Sequence, residues 1–598
     1  MEQQHQMEHA DRATTLAPGA GPPPDAPEQP EVPESRRLPA AQRLTVAATA
    51  VHYLSLVAAL PVLLYLDRDQ WFSADVFEFF NRMQPGHALD VFVSHNGHWS
   101  TIPFLITLPV YKVFGLRSIL PYNALNIVLH LLVTHLLWRW MRRLGADPWV
   151  ATALAGVFLF VGGGAEALAS WFQMTTALPM ALGLLGALLV DHSDPGIRRD
   201  LWYWPIGVAA VMCSVAGVAM VALAALIALL RRGWLAALRV VSVPAIAYLL
   251  WFADYGRQNF LQQPGPAWEL ALIPQEIWTG ISHDVDATTG LAGSGVVVLI
   301  GLAIWLFWRR RLGRGRAAFA FAAVGAGLFF FLALGIDRSA VGPEGFTFGR
   351  YGYVFVAMII PATALLLAPL ARRAAGRVLV VVLSVVLLVN GVGQLESLLH
   401  TVQPVNDAAR GQVLAAAHLV ARGAPLAVGD DALPEPITEG DLPLGLLRSL
   451  VETGALPMDT PVSATDTLDA ALRIQVSITD LPLPGLYGTG PSLAANSAGL
   501  VAPDPSAGKG CVSIGAPAAS PQVEIVFAAP GAVEILPSDG GQVGVQLAWS
   551  QTPQTFTADT ATFPVTEQRP VDLNVTASGV AALVSLPPGS DLVCGLGS

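Results

Sequence analysis

Long apolar stretches ended by charged residues fill the first two thirds of the chain, and short alternating runs take over near the C-terminus. A helix crosses a bilayer with about 20 apolar residues. Residues 45–66, 117–138, 149–161, 168–190, 234–254, 290–308, 317–336, 351–370 and 378–395 are therefore expected to cross. Residues 102–114 are short and end at Gly115, and a crossing there would move every later arginine cluster to the other side, so they are expected to lie as a helix near the outer interface. Residues 202–230 carry basic pairs at both ends, Arg198–Arg199 and Arg231–Arg232. Arginines favour the cytoplasmic side, so this stretch is expected to form two half-length helices breaking near residues 214–217.

The expectation is a mostly α-helical, polytopic bundle of about 11 membrane segments over residues 44–397. It is preceded by a disordered, Pro-rich cytoplasmic tail at 1–43. Arg36, Arg37 and Arg43 hold the N-terminus inside, and the cluster Arg309, Arg310, Arg311, Arg314 and Arg316 is the strongest further topology signal. With these inside, four acid- or His-bearing loops fall together on the outer face, as does the chain beyond the last span. Residues 398–509 read as a mixed helical and loop region. Residues 510–598 read as a small β-sandwich of short runs such as VEIVFA and GVQLAWS, parted by Gly, Pro, Asp and Ser.

Composition agrees: the chain is 53% hydrophobic and only 13% charged, against roughly 25% charged in soluble domains. It is expected to be a multi-pass plasma-membrane protein with water-facing mass attached. The net charge of −11 argues against a nucleic-acid partner. No Cys or His spacing suggests zinc. Cys511 and Cys594 bracket the β-region, and a bridge between them is plausible in an oxidising compartment. Asn574–Thr576 is a formal glycosylation sequon.

Candidate chemistry gathers in residues 66–101, which hold Asp67, Asp69, Asp75, Glu78, His95 and His98 beside Trp71, Phe72, Phe77, Phe79, Phe80 and Trp99. This is either a solvated loop leaning on interfacial aromatics or an active-site loop. Asn123, Asn126, His130 and Thr134 share one helix face, which suits helix–helix hydrogen bonding better than a cavity lining. Glu166 stands alone, and Asp284 and Asp286 lie in a looser outer loop with His283.

The segments SADVFEFFN, HNGHWSTIPFLITLPVYKVFG and FTFGRYGYVF, with a span pair broken at its midpoint, resemble the GT-C superfamily of integral membrane glycosyltransferases over roughly residues 45–395. The Ala/Gly/Arg-rich composition and exported β-domain resemble its actinobacterial members. Two features depart from the pattern: Asp75 and Glu78 stand where several families have adjacent acids, and MCSVAGV lacks a Lys-Glu pair. The resemblance implies sugar transfer, inverting, from a polyprenyl-phosphate donor to an extracytoplasmic glycan, lipid or protein. It makes Asp75 the base, with Glu78 beside it. Arg350 and Tyr351, then Arg257, His95 and His98, become candidates to hold the donor phosphate. A divalent metal on Asp75, Glu78 and His98 is compatible with the sequence but not required. The alternatives are a lipid or solute transporter, and a non-catalytic scaffold presenting the outer domain.

Overall fold

The computed structural model describes residues 40–598 apart from 73–75, 85–89, 195–196, 259–271, 310–316, 339–346, 433–441, 481–490, 494–500, 504–509, 517–520, 551–554, 558 and 597–598. The N-terminal tail, Asp75 and the arginines at 310, 311, 314 and 316 thus lie outside the described residues.

Eight described helices are long and apolar enough to cross a membrane, and two sharply bent pairs bring the number to ten. The first part of the chain forms α1 (Ala40–Leu66), α2 (Val76–Arg82), α3 (Thr101–Phe114), α4 (Leu120–Arg143), α5 (Pro148–Leu159), α6 (Ala165–Ala169) and α7 (Met174–Val190). It continues with α8 (Arg198–Val211), α9 (Val215–Arg232), α10 (Trp234–Asp254), α11 (Ile273–Thr289), α12 (Ser294–Arg309), α13 (Ala318–Arg338), α14 (Gly349–Ala371) and α15 (Ala374–Ala421). Val378, Leu379, Val382, Val385 and Val389 of α15 are exposed. Such helices, apolar on every side, suit a lipid solvent.

Helices α8 and α9 form an antiparallel hairpin. At its open end the Arg232 guanidinium donates two bonds to Asp200, at 2.8 and 2.9 Å, so the start of α8 meets the end of α9. Nearby, Arg143 and Arg231 both pair with Asp191 after α7. At the turn, the Ser214 hydroxyl donates to Thr175 O at 2.6 Å, at the start of α7. The hairpin therefore runs the length of α7 and is not half-depth as expected. The arginine-rich helix ends gather at one end of the bundle, and the hairpin turn lies at the other.

Three further differences have physical causes. Residues 273–289, read as an acidic loop, are helical. The Asp286 carboxylate accepts N–H bonds from Gly293 and Gly295 and a hydroxyl bond from Ser294, so it caps α12 across a 108° bend. Helix α15 runs unbroken through Pro404 for 48 residues, about 72 Å at 1.5 Å per residue, whereas the sequence suggested a span and a separate outer helix. The first-loop aromatics do not sit at an interface. Trp71, Phe72, Phe77, Phe79 and Phe80 are buried, packed against Tyr122, Trp171, Val413–Ala417 of α15 and helix α16 (Leu444–Glu452). Each buried ring stabilises the fold by roughly 1.5–3 kcal/mol. This second core joins the end of the bundle opposite the arginine-rich ends to the C-terminal region.

That region continues with α17 (Ala464–Ile474) and eleven strands: β1 (Val476–Thr479), β2 (Ser492–Leu493), β3 (Val501–Pro503), β4 (Val512–Ala516), β5 (Gln522–Phe527), β6 (Gly531–Leu536), β7 (Gly541–Trp549), β8 (Ala561–Val565), β9 (Val571–Val575), β10 (Val580–Ser585) and β11 (Gly589–Cys594). They form two antiparallel sheets, ordered β1-β9-β6-β11-β4-β3 and β2-β5-β10-β7-β8. Both recruit strands upstream of residue 510, so the β-region begins at β1, earlier than the expected boundary. Val512 faces Val593 across β4 and β11, which sets Cys511 opposite Cys594, and the two are joined in a disulfide. Asn574 of the sequon is buried in β9, where its amide donates to Thr479 Oγ1 and Asp572 O. An acceptor for glycosylation has to be exposed, so the sequon is a structural asparagine.

Candidate functional site

At the end of the bundle opposite the arginine-rich ends, a cleft of about 260 Å³ opens. It lies between the His95–His98 turn, the α5–α7 connection, the α8–α9 turn and the start of α14. Its wall mixes hydroxyl and amide groups (Ser170, Gln173, Thr176) with aromatic faces (Phe172, Phe330, Tyr351).

Charge enters from two sides. Arg350, in the first turn of α14, places Nη1 2.6 Å from Glu166 Oε1. Its backbone N–H donates to Glu166 Oε2 at 3.3 Å, so one carboxylate both pairs with the guanidinium and caps the helix. The Arg350 Cζ lies 4.5 Å from the Phe348 ring centre and 5.3 Å from that of Tyr351. These rings stiffen the guanidinium through cation–π contact. Arg350 keeps 33% and Glu166 27% of its side-chain surface, so the pair is within reach of a ligand.

The backbone permits this close approach. The apolar run of α5 breaks at the 3-10 turn Gly162–Gly164, and α6 follows at 46°. A Cβ on Gly352 would stand 2.0 Å from Gly163 O, and one on Gly349 would stand 3.2 Å from Glu166 Cβ. Only glycines let the turn and α14 meet. Asn126 of α4 donates to Ala167 O and Ser170 O, both at 3.0 Å. His130 binds Tyr353 Oη at 3.1 Å and Leu159 O at 3.2 Å. The polar face of α4 thus holds the broken segment in place and does not line the cleft.

The His side is a tight turn. His95 and His98 exchange both backbone bonds, at 3.0 and 2.9 Å. Asn96 and Gly97 between them have φ of 49° and 81°, the pattern of a type I′ turn for which Asn-Gly is the preferred pair. Helix α2 holds this turn: Arg82 donates to Val93 O and Ser94 O, at 3.0 and 2.8 Å. Glu78 bonds Arg82 with one oxygen and His95 Nδ1 with the other, the latter at 2.7 Å. Burial raises the Glu78 pKa, but His95 and Arg82 outweigh it and hold the carboxyl below its ordinary value.

The expected residues therefore divide. His95, His98, Arg350 and Tyr351 line one cleft. Glu78, expected beside the base, is engaged behind the His turn and does not line the cleft. Arg257 is exposed after α10 and does not line the cleft. Asp75, immediately before α2, lies outside the described residues. Val76, its neighbour in sequence, lines the cleft. Among the described residues no three His, Cys, Asp or Glu side chains gather to hold a metal ion. Glu166, which looked isolated in the sequence, faces Arg350. The signal that would have found it is a run of three glycines interrupting an apolar span just before an acid.

No family model and no curated protein matches the chain. Among solved structures it is similar to ArnT from Cupriavidus metallidurans bound to undecaprenyl phosphate, at 14% identity and a TM-score of 0.42, covering 71% of this chain and 92% of that one. It is also similar to the oligosaccharyltransferase of Archaeoglobus fulgidus tethered to an acceptor peptide, at 16% identity and a TM-score of 0.31, covering 59% of this chain and 55% of that one.

Proposed function

We propose that the chain is a multi-pass membrane glycosyltransferase of GT-C type. It transfers a sugar from a polyprenyl-phosphate donor to an extracytoplasmic acceptor, in the manner of actinobacterial cell-envelope enzymes. The observation that carries this reading is the cleft holding Arg350, set in polar and aromatic walls at the end of the bundle opposite its arginine-rich ends. By the positive-inside rule those ends are cytoplasmic, which puts the cleft, the second core and the β-sandwich outside.

A lipid-linked phosphosugar needs a cation where charge builds on the leaving phosphate. It also needs a carboxylate to take the proton of the attacking hydroxyl. Arg350 serves as the clamp, stiffened by Phe348 and Tyr351, and its five-donor fork suits phosphate. His98 stands across the cleft as a second donor to the phosphate. Asp75, the residue before Val76 in sequence, serves as the base. Glu78 and His95 keep the turn that carries His98 in place. Ser170, Gln173 and Thr176 offer the hydroxyl and amide groups that bind sugar hydroxyls, while Phe172 and Tyr351 offer ring faces.

The test is transfer in proteoliposomes from a panel of polyprenyl-phosphate sugars. Asp75→Asn is expected to lower transfer by about 10²–10⁴-fold with donor binding intact, and Arg350→Ala to weaken binding as well. If no polyprenyl-linked donor binds the wild-type protein, the glycosyltransferase reading falls.

A further inference from the structure

Resting on that reading, we propose that Glu166 is a product-release residue: its carboxylate competes with the leaving polyprenyl phosphate for Arg350. Arg350 Nη1 and the Arg350 backbone N–H both donate to Glu166. A phosphate that takes the remaining N–H groups of the guanidinium competes with a carboxylate 2.6 Å from Nη1 and sits beside that negative charge.

The penalty depends on the ligand's own charge. The donor is a phosphodiester carrying one negative charge. Transfer breaks the sugar–oxygen bond and leaves a phosphomonoester, whose second ionisation lies near pH 6, giving about −1.5 to −2 at neutral pH. Arg350 alone would hold the product more tightly than the donor and stall the enzyme. Glu166 repels the product more than the donor and restores its ion pair as the product leaves. Glu166 sits on five-residue α6, whose backbone Asn126 holds at Ala167 O and Ser170 O, and the Glu166 side chain keeps 27% of its surface, so parting from Arg350 requires a side-chain rotation alone.

The experiment uses the full chain in nanodiscs at pH 8, with a polyprenyl monophosphate and its methyl phosphodiester as probes. Glu166→Gln keeps the size of the side chain and removes its charge. It is expected to tighten the monophosphate roughly 10-fold and the diester roughly 3-fold, a screened, partly exposed ion pair setting the scale. In turnover both kcat and KM should fall, because product release becomes slower. Glu166→Asp, which pulls the carboxylate back by one methylene, should shift binding in the same direction by less, and it gives the same reading if the Gln variant does not fold. Monophosphate binding that is unchanged or weaker in both variants overturns the proposal, as does equal tightening of both probes. Arg350→Ala separates the two ideas. If it weakens both probes while Glu166→Gln fails to tighten them, this inference fails and the clamp stands. If Arg350→Ala leaves binding untouched, the clamp itself is lost.

Discussion

Residues 66–101 and residues 162–170 both border the cleft, yet they carry their chemistry in opposite ways. The first is dense in acids and imidazoles, and folding uses two of them, Glu78 and His95, against each other. Glu78 is tied to Arg82 and His95, and the aromatics form a buried core. The second has one acid after three glycines, and that acid meets the cleft's arginine at 2.6 Å. Crowding along a sequence reports the local bonds a loop can satisfy by itself. Convergence across elements distant in sequence reports a site. Glu166 and Arg350 lie 184 positions apart, so no window along the chain could pair them.

The sharpest way to break the comparison is to remove one cation from each side. Arg350→Ala is expected to reduce transfer by roughly 10²–10³-fold, the scale for losing one preorganised donor at developing charge. Arg82→Ala removes a cation that never reaches the cleft. Its effect is expected to fall on thermal stability, with transfer by the folded fraction within about 10-fold of wild type. Equal catalytic losses in the two variants would erase the distinction drawn between the regions.

Next in size is the contact that lets the quiet region reach α14. Gly352→Ala puts a methyl 2.0 Å from the Gly163 carbonyl, a backbone atom that cannot rotate away. Overpacking of this kind costs about 1–3 kcal/mol, and the shift moves Glu166 and Arg350 apart. Lower thermal stability with a changed phosphate affinity is expected. Gly97→Ala, in the other region, should leave phosphate affinity nearly unchanged.

These contrasts show what could be read in advance. The long straight crossings were legible because apolar length is set by bilayer thickness and needs no tertiary information, whereas the full depth of the α8–α9 hairpin depends on where its turn packs against α7. Helix α11 was hidden because Glu276, Asp284 and Asp286 look like loop residues until burial and capping absorb them. The continuity of α15 was hidden by Pro404, since a proline that removes one helix bond usually ends a helix. Arg350, His95 and His98 stand out in the sequence only through FTFGRYGYVF and HNGHW, the segments that carry the resemblance; the turn at Asn96–Gly97 and the meeting of all three at one cleft come from the fold. Glu166 was invisible because its meaning is its partner.

The ion pair behind the His turn gives a pH-dependent prediction. The folded pKa of Glu78 lies below its unfolded value because His95 and Arg82 outweigh burial. The stability it contributes is therefore fully present above its ordinary value of 4.5 and is lost as pH falls through the lower folded value. Discounted for a side chain 35% exposed, Glu78→Gln should cost about 1 kcal/mol at neutral pH. Melting curves of the two proteins should converge below pH 4.5. A gap that widened on acidification would mean the carboxylate is not held ionised by these partners.

The effect confined most closely to one place isolates the turn from its ion pair. Gly97 has φ of 81°, and no atom lies within 4 Å of a Cβ placed there. Gly97→Ala therefore introduces no clash, and its cost is backbone strain alone, roughly 1–2 kcal/mol for an L-residue held left-handed. Asn96 already occupies that region at φ of 49°, as asparagine does more readily than alanine. Gly97→Asn should accordingly recover about half of the loss. If strain is the whole effect, both variants keep wild-type phosphate affinity and lose thermal stability in the order Ala before Asn. If both lose phosphate affinity equally at unchanged stability, the turn is a binding element in its own right. The first loop would then contribute to the cleft through its backbone as well as through His98.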